Sequence, residues 1–305
     1  MIVLNSIFPV FGLIFLGALL KKFRFTNEAF LATSDRLIYF VFFPLMLFWK
    51  IGGASSAGVN WSFCAAVLCA LLFVFGISAL CIRFFGISDY EAGSFSQSCY
   101  RFNTYIGMAI LMNAMGEESV RLFGILIGFM IPLINVMAVS TLIWYSGKAY
   151  AATERNRLLL RSLISNPLIL GCLAGIVYGE VIGTFPVFLD NTFRLTSLVT
   201  LPLALISIGG GLRFSSFRDY RRQSLLAAAV KLALLPAVGF FCLQFFGISG
   251  MPFRVGMIYF ALPTSTAIYV LSSQLHSDTA LASAAIVIST LLSMISLGVV
   301  LTIIR

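Results

Sequence analysis

Apolar and polar residues segregate along this chain into long blocks. Apolar runs cover about residues 2–20, 34–51, 61–85, 92–115, 119–147, 162–183, 193–212, 225–246, 252–275 and 279–304, with short polar connections between them. The runs are continuous and show no period-2 alternation, so each predicts an α-helix rather than a barrel strand. A helix needs about 20 apolar residues to cross the hydrocarbon core of a bilayer. The pattern therefore predicts an all-α integral membrane protein with ten transmembrane helices. The first run lacks a basic start and a small-residue cleavage site, and Lys21, Lys22 and Arg24 follow it at once. It reads as a retained span, not a signal peptide.

Composition sharpens this picture. The 305 residues are 60% hydrophobic and 10% charged, whereas a soluble domain carries about 25% charged residues. Ten spans would use roughly 200 residues and leave about 10 for each connection, so no separate soluble domain fits. A soluble enzyme, a disordered chain and a disulfide scaffold are excluded. All six cysteines lie in apolar stretches without CxxC or metal-ligand spacing, which marks them as packing residues.

The net charge of +9 comes from basic clusters between apolar runs, the pattern of loops facing anionic lipid and not of a nucleic-acid surface. With ten spans, one side of the membrane carries 13 basic residues, including Lys21, Lys22, Lys148, Arg155, Arg157, Arg161, Arg213, Arg218, Arg221 and Arg222. The other side carries 5, namely Lys50, Arg121, Arg194, Arg254 and Arg305. The positive-inside rule puts the larger set in the cytoplasm, so both termini are expected outside a bacterial inner membrane.

The two halves resemble each other at a separation of 158 residues. Pro9 and Gly17 match Pro167 and Gly175. Arg36-Leu37, Val41, Pro44-Leu45 and Leu47 recur as Arg194-Leu195, Val199, Pro202-Leu203 and Leu205, and Gly52-Gly53 recur as Gly210-Gly211. This register predicts a 5+5 repeat: residues 1–147, a basic cytoplasmic connection 148–161, and residues 162–305. Five spans is an odd number, so the second half enters the membrane in the opposite direction. Such inverted repeats serve secondary transporters, because two similar halves can exchange conformations between inward-open and outward-open states.

Two spans carry chemistry. The fourth contains the polar series Ser94, Ser96, Gln97, Ser98, Arg101, Asn103 and Thr104; the ninth contains Ala261-Leu262-Pro263-Thr264-Ser265-Thr266. Asn103-Thr104 and Pro263-Thr264 each lie about eleven residues into their spans, or about 16 Å at the helical rise, near the bilayer midplane. Proline removes a backbone donor, and Asn and Thr compete with the helix for freed groups. The fourth and ninth spans are therefore expected to be interrupted and to cross. Their half-helix N-termini would aim N–H groups and partial positive charge at a shared site suited to a carboxylate.

At these residues the chain resembles the auxin efflux carrier family, which includes bacterial malonate and dicarboxylate carriers and the plant PIN exporters. The family pattern appears in Asn103-Thr104-Tyr105-Ile106-Gly107, Pro132-Leu133-Ile134-Asn135-Val136, Ala261-Leu262-Pro263 and Ser289-Thr290-Leu291-Leu292-Ser293. Many members have a proline two residues after the glycine, where this chain has Ala109. The resemblance covers essentially the whole chain. It implies a scaffold of spans 1, 2, 6 and 7, a moving transport unit of spans 3–5 and 8–10, an elevator-like motion and a homodimer through the scaffold helices.

The expected function is transport of small organic anions, with Arg101, Asn103, Thr104, Pro263 and Thr264 around the substrate and Asn135 and Thr266 in support. Arg101 either clamps a substrate carboxylate with its planar fork or caps half-helix carbonyls. Lys231 is expected to snorkel to the cytoplasmic interface, and Asp35 to pair locally beside Arg36. Ser96, Gln97, Ser98, Ser265, Thr266 and Gln274 are oxygen ligands compatible with sodium coupling, and proton coupling stays open. His276 reads as a solvated loop residue, and glycines 209–211 as a bend or close-packing site. No cofactor, catalytic constellation, metal motif or nucleotide loop is expected. The competing readings are a sodium-coupled carrier of the bile-acid-symporter type and a membrane sensor with a carrier fold.

Overall fold

Helix caps and prolines set the element boundaries. The computed structural model describes residues 2–53, 60–147, 153–154, 156–158, 160, 165–212 and 219–304. Its helices are α1 (Ile2–Lys22), α2 (Glu28–Leu37), α3 (Phe43–Gly52), α4 (Trp61–Phe84), α5 (Asp89–Tyr100), α6 (Thr104–Met115), α7 (Glu117–Tyr145), α8 (Pro167–Val181), α9 (Val187–Gly211), α10 (Arg221–Ala229), α11 (Leu235–Phe245), α12 (Gly250–Ala261), α13 (Ala267–Gln274) and α14 (Thr279–Ile303). Seven helical stretches among the described residues are long and apolar enough to cross a membrane. The protein is an all-α, multi-pass membrane protein.

The second apolar run begins earlier than its hydrophobicity implies. Asn27 caps α2 by accepting a hydrogen bond from the Phe30 amide at 2.8 Å, so a polar first turn precedes the apolar one. Asn166 caps α8 in the same way, with Pro167 in the first turn, where its missing N–H costs nothing. Two helices continue through wide π-helical turns, Ile38–Phe42 between α2 and α3 and Val230–Leu234 between α10 and α11. A proline follows each turn closely, Pro44 and Pro236. Neither can donate to the carbonyl four residues back, and one extra residue in the turn absorbs the mismatch.

The chain divides into two compact units. The first comprises residues 1–60, 108–131 and 164–211; the second comprises 61–107, 132–163 and 212–305. In the first unit α1 and α9 lie backbone on backbone. A Cβ on Gly17 would collide with the carbonyl of Ile206, and one on Gly209 with the carbonyl of Ile14. The glycine cluster thus marks close packing. Gly171 of α8 meets the Pro44 carbonyl of α3, at 2.6 Å from a built Cβ. The rings of Phe48, Tyr178, Phe185 and Phe193 form an edge-to-face and stacked cluster beside it. Asp35 accepts from the Ser207 hydroxyl of α9, a tertiary partner in place of the local one expected. Lys50 pairs with Glu117 at 2.6 Å, and the Trp49 indole donates to Asp190 at 2.7 Å.

The second unit packs α4, α5 and α10–α14. A seam of hydroxyls joins α5 to the chain around α13. Ser94 Oγ lies 2.8 Å from Ser272 Oγ and 3.0 Å from Ser277 Oγ, and donates to the Asp278 carbonyl at 2.7 Å. Lys231 does not snorkel. It is wholly buried in a π-helical turn, and its Nζ donates to the Phe260 carbonyl in the last turn of α12 at 3.3 Å. His276 is exposed in a left-handed loop position with φ 57°. Lys148, Arg155, Arg161, Arg213, Arg218 and Arg305, and most of the connection 148–161, lie outside the described residues.

Close backbone approach gives a direct test. Gly209→Ala forces α1 and α9 apart and should cost about 1–3 kcal/mol, the scale of overpacking. Gly12→Ala, which meets nothing within 4 Å, should be neutral or slightly stabilising. Thermal unfolding of the purified variants in detergent separates them, and equal melting temperatures would exclude the glycine contact as a packing determinant.

Candidate functional site

The fourth apolar run is not one helix. Ser88 and Glu91 form a capping box that starts α5, with the Ser88 amide donating to Glu91 at 3.1 Å. From Ala92 to Tyr100 every residue of α5 is buried although half of them are polar. The helix stops at Arg101, which turns to extended backbone (φ −66°, ψ 149°). Three residues later α6 begins. Asn103 caps it, its Oδ1 accepting from the amides of Tyr105 and Ile106, each at 3.1 Å.

The ninth run breaks in the same way. After α12, Leu262 adopts φ −65° and ψ 145°, nearly the angles of Arg101. Pro263 offers no N–H, and α13 starts at Ala267, whose amide is bonded to the Ser265 hydroxyl at 3.3 Å. The two breaks meet within the second unit. The Asn103 amide donates to the Pro263 carbonyl at 2.9 Å. Thr264 ties the junction on both sides: its hydroxyl donates to the Ser98 carbonyl at 2.6 Å, and its amide to Ser289 Oγ of α14 at 3.1 Å.

Arg101 is buried beside this junction. Its Nη1 donates to Gln97 Oε1 at 3.3 Å and its Nη2 to Asn135 Oδ1 of α7 at 3.1 Å. Two carboxamides thus hold the guanidinium in a fixed plane. The Phe102 and Tyr259 rings pack at 4.4 Å over the junction. Asn103 keeps one unused group: its Nδ2 is a buried donor without a partner among the described residues. A buried donor with no acceptor costs free energy until something accepts from it.

Of the residues expected in the site, Arg101 and Asn135 are bonded to each other, Asn103 to Pro263, and Thr264 to the same junction. Thr104 and Thr266 stand half-buried at the first residue of α6 and just before α13. One expectation changes. The amides of Tyr105, Ile106 and Ala267 are not open to an anion, because Asn103 and Ser265 already accept from them. Ser96 pairs with Ser78 Oγ of α4 at 2.9 Å, and Ser98 bonds within its own helix to the Ser94 carbonyl at 2.7 Å. Residue type alone did not single out Ser272, Ser277 and Ser289 as structural partners. Their common signal is a small hydroxyl in an otherwise apolar helix.

A family model described as membrane transport protein matches residues 2–301. An uncharacterised transporter of Methanocaldococcus jannaschii is 22% identical over 303 residues, covering 97% of this chain and 96% of its own length. An uncharacterised transporter of Methanothermobacter thermautotrophicus is 22% identical over 301 residues, covering 96% of this chain and 95% of its own.

The Thr264 bonds are testable apart from any ligand. Thr264→Val keeps the shape but deletes the hydroxyl that reaches Ser98, and should cost about 1–3 kcal/mol of stability. Thr264→Ser should retain most of it. If the two variants melt alike, the hydroxyl does not hold the junction.

Proposed function

The chain belongs to the membrane transport protein family, and from that premise we propose that it is a secondary carrier of small organic anions, mono- or dicarboxylates, working by alternating access at the paired breaks. The observation that carries this reading is the Asn103–Pro263 backbone bond joining two interrupted helices, with Arg101 fixed beside it. Unwound backbone at membrane depth is tolerated where it is buried in protein or lines a cavity, and carriers use such breaks as binding sites. Arg101 supplies a planar, permanent cation, and Asn103 Nδ2 an unused donor. Both favour a carboxylate over a cation or a neutral solute.

The matched geometry of the breaks supports an inverted 5+5 repeat. Arg101 and Leu262 share backbone angles and both follow a twelve-residue half-helix. Seven long helices, the shorter α8 and the two broken pairs supply ten candidate crossings. The two compact units support a division of labour: α1–α3, α8 and α9 belong to one, and the paired breaks lie in the other. On this reading spans 1, 2, 6 and 7 (α1–α3, α8 and α9) are the scaffold and spans 3–5 and 8–10 the transport unit, although residues 108–131 of α6 and α7 fall in the first compact unit; both termini lie outside the bacterial inner membrane.

Two experiments test this. In proteoliposomes, counterflow with a panel of radiolabelled mono- and dicarboxylates should reveal exchange for at least one, with no need for a known gradient. Arg101→Gln should then weaken substrate affinity by about 10–150-fold, the scale of one lost charged hydrogen bond. Arg101→Lys should restore little, because a point charge lacks the bidentate fork. Unchanged affinity in a folded Arg101→Gln protein removes Arg101 from the site, and exchange of no carboxylate at all defeats the anion reading. For orientation, Arg157→Cys in a cysteine-free background should resist an impermeant thiol reagent added outside intact cells. Ready labelling reverses the topology.

A further inference from the structure

Lys231 is a buried cation-forming group that the substrate site leaves unused. Its relative exposure is 0%, and its Nζ donates to the Phe260 carbonyl at 3.3 Å. Phe260 belongs to the last turn of α12, two residues before the break begins at Leu262. Carbonyls in that turn lack helical partners and carry the negative end of the helix dipole. The lysine amine therefore sits at the edge of the paired breaks, on the opposite pole from the one that faces an anion.

The elements packed against its π-helical turn are α4, α5, α10, α11, α12 and α14. Cys99 of α5 is the titratable side chain that faces Lys231. The others carry cysteines and Arg83 on α4, Cys242 on α11, exposed Arg221 and Arg222 on α10, and Tyr259 with exposed Arg254 on α12; α14 has no titratable side chain. The acids on these elements are Asp89 and Glu91, in the first turn of α5. They lie about 12–15 Å along the helix from Cys99 at the helical rise. An ammonium at Lys231 thus has no carboxylate on these elements to balance it, and a buried charge without a counter-charge is costly. An organic anion settled at the breaks would supply that counter-charge.

We propose that Lys231 is the proton site of the carrier: its amine takes up a proton from water when an organic anion occupies the paired breaks, so that one anion and one proton move together. The proposal rests on the anion reading above. Anion and proton each strengthen the binding of the other by the same factor, because the coupling is reciprocal. A sodium ion is then not required, since the lysine proton provides the compensating charge.

Two measurements test it, one without any substrate. The first is the melting temperature of detergent-purified protein from pH 5 to pH 9, a range in which solvent-exposed lysine keeps its proton. The gap between the wild type and Lys231→Met should change with pH by at least about 3 °C. Lys231→Arg, whose charge is permanent, is the second reference if the methionine variant fails to fold. A gap that stays flat across the range overturns the proposal, because Lys231 then never changes charge in the folded protein. The second uses acetate, malonate and benzoate with wild-type protein in lightly buffered nanodiscs containing a pH dye. Binding, seen as a thermal shift, should come with uptake of close to one proton, and a folded Lys231 variant should take up none. Binding without uptake sinks the coupling and leaves the anion site standing. If no carboxylate binds, the anion reading and the coupling built on it both fail, and the pH-dependent gap still decides whether Lys231 is a proton site.

Discussion

Everything in the second unit depends on how backbone polar groups are satisfied where two helices stop inside a membrane protein. A helix in lipid closes its own hydrogen bonds, and a broken one cannot. Here each break supplies what the other lacks. The Asn103 amide, freed by the end of α5, donates to the Pro263 carbonyl, freed by the end of α12. Thr264 then uses its hydroxyl and its amide to reach Ser98 and Ser289. Because these groups bond mainly to one another, neither break can be straightened or shifted alone without stranding the other's donor or acceptor. That mutual dependence makes the junction a defined object and not a flexible kink.

The two units are built on different packing chemistry. In the first, glycines let backbones touch, as Gly17 and Gly209 do at α1 and α9, and four aromatic rings fill the space beside α8. Such contacts depend on shape and leave no room for sliding by a fraction of a residue. In the second, hydroxyls such as Ser94, Ser272 and Ser277 join α5 to the chain around α13 through bonds that can exchange partners. Small polar side chains serve this purpose in membrane helices because the alternative partner, water, is absent.

The apolar runs were legible because length and continuity are decided locally, and the helices follow them closely. Their starts were less so. Asn27 moved the beginning of α2 to Glu28, since a cap is a polar signal that an apolar count ignores. The positions of the breaks were readable from Pro263 and Asn103, whose chemistry opposes a continuous helix. Their partners were not. Nothing local in Ser289, Ser98 or Asn135 announces which carbonyl, amide or guanidinium each one meets, because those distances are set by tertiary packing. Lys231 was misjudged for a related reason. Snorkelling assumes a side chain free to reach the interface, whereas tertiary packing brings the Phe260 carbonyl within reach of Lys231 Nζ inside the protein.

The charge inventory of the second unit completes the functional argument. Its buried ionisable cations, Arg101 and Lys231, stand at or beside the paired breaks. Its buried carboxylate, Asp278, is committed elsewhere: it caps α14, accepting from the amides of Ala280 and Leu281 at 2.8 and 2.9 Å. A site meant for cations would invert this arrangement, placing carboxylates at the breaks and leaving the cations outside. Burying a charge in a low-dielectric interior is costly unless it is paired and hydrogen-bonded. On the proposed reading, a carboxylate at the breaks would bring opposite charge to this region. Arg101 cannot shed its charge, whereas Lys231 can, so the same site has one fixed and one adjustable cation. On the proposed reading, the fixed one favours a carboxylate and the adjustable one sets how much charge crosses with it.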